Sequence, residues 1–470
     1  MREHTIALGH KRSVSLAAAQ AVSVISLGIS DLATLGIVMA VAVGVRISIL
    51  PAISHAFDRP TYPLTHYAGL WWIGVAYLAA LAHAGLYTRR DPYWEEVRRC
   101  VIGTTVGTLL VFAVLSAAKI GDDVSRPVVV LAWALLLVAL PMSRRAVKEA
   151  LFAAGPWRRR AVLIGSGPLA DALRQAFRRH RTLGYEIAEV VADPTAAPGR
   201  ATAIGAQEVI VATPDLGRTE FLKLIESLRA VAENVLIVPD LAEVPVLGVE
   251  VLGLLEDRAL LLRVPNNLLK PWNLVVKRAF DLVVGGLLAL LLLPVLAVAA
   301  IAIALDSPGP LLHIEPRVGR RGAFFKCYKL RTMYRDGDQR LDAYLAAHPD
   351  AAAEWERYRK LRTYDPRVTR VGRILRRYSL DEIPQLFNVI RGQMSLVGPR
   401  PYLPREMPLV SAEAMIDVLP GITGLWQVSG KNALDLRERA RLDRWHVNNW
   451  SLWLDVIILV KTTAVVWRAR

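Results

Sequence analysis

Residues 282–305 read LVVGGLLALLLLPVLAVAAIAIAL, 24 consecutive uncharged residues, and the way this run meets a membrane decides the fold. At 1.5 Å per residue a straight helix of that length extends about 36 Å, enough to cross an apolar bilayer core of about 30 Å. The flanks argue against crossing. Lys270, Lys277 and Arg278 precede the run, and Arg317, Arg320, Arg321, Lys326, Lys329 and Arg331 follow it, so by the positive-inside rule both ends belong to the cytoplasmic face. Pro294 falls near the middle, where it removes a helix hydrogen bond and favours a bend. The run, about residues 279–306, is therefore expected to be a re-entrant helix that enters the bilayer, breaks and returns, with protein or polar side chains covering the freed backbone groups. A full crossing is the plainer alternative. Arg278 and Asp281 lie three apart on one helical face, either paired near the interface or solvated.

Toward the N-terminus, four more apolar segments lie near Ala21 to Val45, Ala68 to Tyr87, Val101 to Ala118 and Pro127 to Met142, each close to the ~20 residues a spanning helix needs. Lys11 and Arg12, the Arg89, Arg90, Arg98 and Arg99 group, and the basic residues from Arg144 onward place the N-terminus and everything after Arg144 in the cytoplasm. The bulk composition agrees with a membrane protein that carries soluble parts, because 53% of the 470 residues are hydrophobic. A net charge of +16 beside apolar segments points to anionic lipid and anionic substrates rather than nucleic acid. The two cysteines, Cys100 and Cys327, exclude a disulfide framework and a cysteine metal site. No cleavable signal peptide is expected, since the first apolar stretch lacks a short core followed by a small-residue cleavage site.

From Arg160 the texture changes. Strand-like runs at Ala161 to Ile164, Ile187 to Ala192, Glu208 to Ala212 and Val235 to Val238 alternate with helical patterns at Leu169 to Arg179 and Arg218 to Val231, which argues for a small parallel, Rossmann-like α/β domain. Gly165, Gly167 and Ala170 imitate a dinucleotide-binding turn, with Asp193 near the usual place of a ribose-binding acid. Pro168 inside that loop and the shortness of the unit favour a structural or regulatory role over a working NAD site. The fold class is thus membrane α plus α/β: residues 1–150 a four-helix transmembrane bundle, 151–262 the α/β domain, and 263–470 a mostly helical catalytic domain carrying the re-entrant helix.

The last third is polar, basic and dense in motifs. Ser379 followed by Glu382 matches a capping box, with Asp381 suited to the first turn of a helix. Around these acids stand Arg367, Arg370, Arg373, Arg376 and Arg377 upstream and Arg391 and Arg400 downstream. Seven guanidinium groups beside two acids make a phosphate site. An Asp held there stays ionised and can attack phosphorus, while its neighbour Glu382 holds Mg²⁺ against substrate phosphates. The two roles are compatible, because a capped first turn holds a nucleophile still. The nine histidines show no paired zinc spacing, so His313 and His446 read as surface or hydrogen-bonded polar sites. Trp445, Trp450 and Trp453 suit packing and a membrane interface equally. Leu341 to Arg362 reads as one amphipathic helix.

Taken together, Lys277-Arg278 with Asp281, Arg317-Val318-Gly319, FKCYKLRTM at 325–333, DPRVTRVG at 365–372, SLDEIPQLFNVIRGQMSLVGPRP at 379–401, PGITGLWQVSGKN at 420–432 and NNWSLWLD at 448–455 resemble the bacterial sugar transferase family, the monotopic phosphoglycosyl transferases. The arrangement of spans and α/β domain ahead of these motifs is similar to the long polyprenyl-phosphate hexose-1-phosphate transferases. The resemblance implies that Asp381 attacks the β-phosphate of a UDP-hexose, releases UMP and passes the phosphosugar to undecaprenyl phosphate, starting a cell-surface polysaccharide at the bacterial inner membrane. It implies Glu382 as the partner acid for Mg²⁺, and Lys329, Arg331, Arg376, Arg377 and Arg400 as cations around phosphates. Two departures stand out: Leu293 occupies the position before Pro294 where the family usually has Ser, and Lys431 replaces a usual Arg. Which hexose is used, and whether the first 262 residues regulate, anchor or bring two copies together as a homodimer, is left open.

Two other classes compete. A membrane-tethered sugar-nucleotide dehydratase or epimerase would need a Tyr-x-x-x-Lys pair to move protons, and no tyrosine here has lysine four residues later. A membrane sensor or assembly scaffold without catalysis would explain the first half of the chain but leaves the acid-and-arginine cluster without a purpose.

Overall fold

The computed structural model describes residues 2–55, 62–119, 124–213, 216–238, 250–254, 259–263, 266–358, 361, 364–409, 418–430 and 434–467. It is mostly helical with a small four-stranded parallel sheet, and its contacts divide it into two compact units, Met1–Asp240 and Leu241–Arg470. Among the described residues four stretches of helix are long and apolar enough to cross a membrane: Ala18–Ile53, Tyr93–Ala117, Arg126–Ala154 and Pro271–Asp306.

The first unit opens with helices α1 (Arg2–Ser48), α2 (Trp72–His83), α3 (Tyr93–Ala117) and α4 (Arg126–Ala154). The segment expected as a second span, 68–87, contributes only the 12 residues of α2, about 18 Å of helix. Local caps override its apolar composition here. Gly85 takes φ +80° and the Leu86 N–H bonds the Leu81 carbonyl at 3.2 Å, closing the helix well short of Tyr87. Buried charges tie three of these helices together. Arg144 of α4 donates to Asp31 of α1 (2.6 Å) and Glu96 of α3 (3.0 Å), and Lys148 pairs with the same Glu96 carboxylate at 2.6 Å. All four side chains are buried but paired, which is what makes their burial tolerable.

Strands β1 (Arg159–Ile164), β2 (Tyr185–Val191), β3 (Glu208–Val211) and β4 (Asn234–Ile237) then pair in parallel in the order β2-β1-β3-β4. Helices α5 (Pro168–Arg179), α6 (Ala197–Ile204) and α7 (Arg218–Arg229) supply the crossovers. The four expected strand runs are all present. Gly165, at φ +137°, ends β1 so close to β3 that a Cβ would lie 2.3 Å from the Ala212 carbonyl oxygen. Asp193 is occupied locally, its carboxylate accepting from the Thr195 backbone N–H (2.9 Å) and hydroxyl (2.8 Å).

The second unit begins with an antiparallel hairpin, β5 (Glu250–Leu254) and β6 (Ala259–Arg263), and the 36-residue helix α8 (Pro271–Asp306). A second hairpin follows, β7 (Leu312–Val318) with β8 (Phe324–Leu330), then α9 (Gly337–Ala347), α10 (Pro349–Tyr358), α11 (Arg370–Arg377) and α12 (Gln385–Ile390). Short parallel strands β9 (Ser395–Val397) and β10 (Gly421–Thr423) precede α13 (Leu425–Ser429), α14 (Leu436–Asn448) and α15 (Leu452–Trp467). The single amphipathic helix expected over 341–362 is two helices, because Pro349 disfavours helical geometry at His348 before it.

Helix α8 is helical throughout, Pro294 included. One stripe packs on its own unit along the whole length: Phe280, Val284, Leu288 and Leu292 against Leu386, Val389 and Leu396, then Leu296, Ala299 and Ile303 against Leu330 and Leu375. The opposite stripe, Val283, Leu287, Leu290, Leu291, Val298, Ile301 and Leu305, is 62–84% exposed. The expected pairing of Arg278 with Asp281 is not formed. Arg278 donates instead to the Val389 (2.6 Å) and Ile390 (2.9 Å) carbonyls that α12 leaves without helical partners, and Asp281 accepts from Lys277 and the Leu396 N–H, both at 3.2 Å. At the far end Asp306 accepts the Val371 N–H at 3.0 Å.

Candidate active site

Lys329, near the end of β8, reaches Glu382 with Nζ 2.8 Å from Oε1. That contact depends on how β8 sits against α12, and Asn388 sets the register. Its side chain, wholly buried, accepts the Tyr328 N–H (3.2 Å) and donates to the Lys326 carbonyl and the Gln393 side chain (2.8 Å each). Gly372 allows the other close approach, since a Cβ there would stand 2.1 Å from the Thr332 carbonyl oxygen. Thr369 caps α11 through the Gly372 N–H (2.9 Å), and Arg376, one turn on, donates to the Thr332 hydroxyl at 2.8 Å.

Between α11 and α12 the chain makes a single 3₁₀ turn, Leu380–Glu382, entered through Ser379 at φ +55°, ψ 24°. A left-handed non-glycine residue costs about 1–2 kcal/mol, and strain of this kind collects at functional sites. The capping box expected for Ser379 and Glu382 is absent. An N-cap needs extended geometry, which Ser379 does not have, and the Glu382 carboxylate goes to Lys329 instead. The capping box among the described helix starts belongs to Asp435 and Glu438 at the head of α14. Asp381 departs from expectation in its titration as well. Burial, then the negative Glu382 beside it, raise its carboxyl above the ordinary value, and Lys329 and Arg376 offset this only in part.

A cavity of about 1440 Å³ opens in front of the turn, lined by Asp381, Glu382, Lys329, Arg376, Arg400 and Trp426 among others. Arg331 also borders it, but its guanidinium is engaged with the Ser307 (2.5 Å) and Pro308 (3.0 Å) carbonyls, closing the chain as it leaves α8. Arg377 does not line the cavity and lies over the Tyr378 ring at 5.8 Å. Arg278, Asp281 and Pro294 are likewise outside it and belong to α8. Arg400 keeps a buried Nε–H without a partner, while its Nη2 lies 3.4 Å from Glu406. Lys431 falls outside the described residues.

Among the described residues no group of three or more His, Cys, Asp or Glu side chains is placed to hold a metal ion. Adjacent Asp381 and Glu382 nevertheless suit Mg²⁺, which is ordinarily held by one or two carboxylates with substrate phosphates and water completing its shell. Glu382 has one oxygen on Lys329, and the Asp381 carboxyl is raised by burial first and by its acidic neighbour second, with Lys329 and Arg376 offsetting this only in part.

Several residues of this site escape motif reading. Asn388 interrupts an apolar helix face, and Asp443 and His446 continue the buried stripe that Ala440 begins on α14. Polar residues three and six positions after a buried alanine on the same helix face were the available signal. Asp443 is wholly buried and accepts the Arg400 N–H (3.0 Å) and the Tyr402 hydroxyl (2.9 Å). His446 is a buried, hydrogen-bonded residue, with Nε2 2.9 Å from Asp455, and Trp450 is buried with its indole N–H on the same carboxylate at 3.0 Å.

Residues 272–469 match the family described as bacterial sugar transferase. The chain is 34% identical to the UDP-galactose-lipid carrier transferase of Erwinia amylovora, over 94% of this chain and 96% of that protein. It is also 34% identical to the undecaprenyl-phosphate galactose phosphotransferase of Salmonella typhimurium, over 81% and 83% of the two chains. The exopolysaccharide production protein ExoY of Rhizobium meliloti is 41% identical over 43% of this chain and 89% of its own length.

Proposed function

This chain belongs to the bacterial sugar transferase family, and from that premise we propose that it moves a hexose-1-phosphate from a UDP-hexose to undecaprenyl phosphate in two displacements at one phosphorus. In the first, an Asp381 carboxylate oxygen bonds to the β-phosphorus, the bond to the bridging oxygen breaks, and UMP leaves with the electron pair. In the second, a lipid phosphate oxygen attacks the same phosphorus and the Asp381 oxygen departs. The observation that carries this reading is the strained turn that sets Asp381 and Glu382 at the edge of a cavity bordered by Lys329, Arg376 and Arg400. Phosphoryl transfer asks mainly for positioning and charge stabilisation, which fixed cations around a rigid acid supply. Glu382, with Asp381, would hold Mg²⁺ together with the substrate phosphates; the ion would supply positive charge against the oxygens of the transferring group. Lys329 orients Glu382, Arg376 faces the acids from α11, and Arg400 reaches the phosphates from the opposite wall. Arg331 and Arg377 act at one remove, Arg331 by closing the exit from α8.

The catalytic unit works on the cytoplasmic face of the bacterial inner membrane, as the first membrane step of a cell-surface polysaccharide. Support for a re-entrant α8 is that both of its halves pack on the same polar unit, with Arg278 and Asp281 held at one end and Asp306 at the other. A helix crossing the bilayer would find that unit at one end only. The exposed apolar stripe of α8 then faces acyl chains. The 151–262 region reads as a Rossmann-like domain of structural or regulatory role.

The test is intact-mass analysis after incubation with UDP-galactose or UDP-glucose. Wild type should gain one phosphosugar and release UMP, and Asp381→Asn should gain none, with turnover down by roughly 10³-fold or more. An equal adduct on the variant removes Asp381 as nucleophile.

A further inference from the structure

Asp443 is a buried carboxylate whose hydrogen bonds all serve one loop. Oδ2 takes both the Arg400 backbone N–H (3.0 Å) and the Tyr402 hydroxyl (2.9 Å), while Oδ1 is buried without a partner. Tyr402 is itself buried, its ring packed with Met407, Leu436 and Ala440. Within this stretch Pro401 gives its carbonyl to Arg317 of β7 at 2.9 Å, and Leu403 gives its N–H to Glu406 at 2.9 Å. Residues 400–403 are therefore clamped on both sides of the Arg400 side chain, and the clamp on Arg400 itself is Asp443.

We propose that Asp443 is the positioning residue for Arg400: it fixes the backbone that carries the Arg400 guanidinium at the cavity Asp381 also lines, without touching substrate. This inference rests on the reading of Arg400 as a donor-phosphate contact. A purely stabilising role fits poorly, because burial outweighs the help from Arg400, Tyr402 and His446 and pushes the Asp443 carboxyl up to about 6. The groups facing it are Arg400 and Tyr402 from the loop and His446 from its own helix. A group that costs stability and spends its bonds on the loop of a cavity arginine is placed for function. Arg400 lines the cavity with its guanidinium 5.7 Å from the centre of the Trp426 ring, and how well that group meets a phosphate depends on where its backbone sits.

A double-mutant cycle on the full-length protein tests this, with phosphosugar transfer from UDP-galactose under single-turnover conditions as the readout. Asp443→Ala should lower kcat/KM by about tenfold or more, mainly through KM, and by less than about twofold when Arg400 is already Ala. Asp443→Asn, which keeps one acceptor oxygen, should recover most of the loss. Tyr402→Phe keeps the buried ring and removes one donor, so it runs the same cycle should Asp443→Ala fail to fold. Losses that add in full to that of Arg400→Ala would assign Asp443 to general stability and overturn the inference. If Arg400→Ala alone leaves kcat/KM unchanged, the phosphate reading of Arg400 fails and takes this inference with it. Absence of any adduct on wild type would instead refute the reaction.

Discussion

Asp381 and Asp443 are both carboxylates raised by burial, and only one of them lies at the cavity. The difference is their partners: Asp381 stands beside a second acid, whereas Asp443 is surrounded by donors that offset desolvation only in part. For Asp443 the linkage to stability has a definite sign. Its folded value, about 6, lies above the ordinary 3.8, so the folded state binds the proton more tightly, and the stabilisation is complete below pH 3.8 and lost as pH rises through 6. Asp443→Asn has no such titration. Its melting temperature relative to wild type should therefore rise between pH 4 and pH 8, by an amount corresponding to about 3 kcal/mol. A difference that stays flat with pH would show that Asp443 is not buried as a titrating acid. The sequence marked Asp381 and Glu382 as candidates by their motif and Arg376 and Arg400 by their charge, and its family resemblance marked Lys329 together with Arg331 and Arg377, whose guanidinium groups the fold engages elsewhere. It concealed Asn388 and Asp443, because a buried polar residue reads as an interruption of an apolar stripe until its partner is known.

At the scale of elements, α8 carries most of the membrane argument. Its length alone permits crossing, and the stripe packed from Phe280 to Ile303 joins the basic flanks in arguing that both ends stay with one unit. Cysteine labelling reads this directly, because Cys100 and Cys327 are buried. Lys270→Cys and Pro310→Cys, placed in exposed positions beyond the two ends, should both react with a membrane-impermeant maleimide in inside-out vesicles and neither in intact spheroplasts. Reaction of one from each side would establish a full crossing and strand Asp381 away from cytoplasmic UDP-sugars. The α2 segment makes the converse point. Twenty apolar residues suggested a span, yet a glycine cap and a turn at 69–71 leave 12 in the helix, since capping acts at single positions that hydropathy averages away.

For the whole molecule, the division at Asp240 and the family match over 272–469 both leave the stretch of chain that lines the cavity outside the first unit. Every described residue lining the cavity comes from 310–427. A fragment of residues 241–470 in detergent should therefore form the phosphosugar adduct at a rate within about tenfold of the full chain, as expected when independent units contribute separately. Loss of the adduct would mean that the first unit helps to build the site. The sequence by itself determined the membrane character, the parallel α/β alternation, the acidic pair and the basic field around it, because apolar length, periodicity and charge are written along the chain. Tertiary structure decided which cation serves which acid. Arg331 went to the carbonyls after α8, Arg278 to the end of α12, and Lys329 to Glu382. Those choices follow from which backbone groups the fold leaves without partners, and that is settled only when distant segments meet.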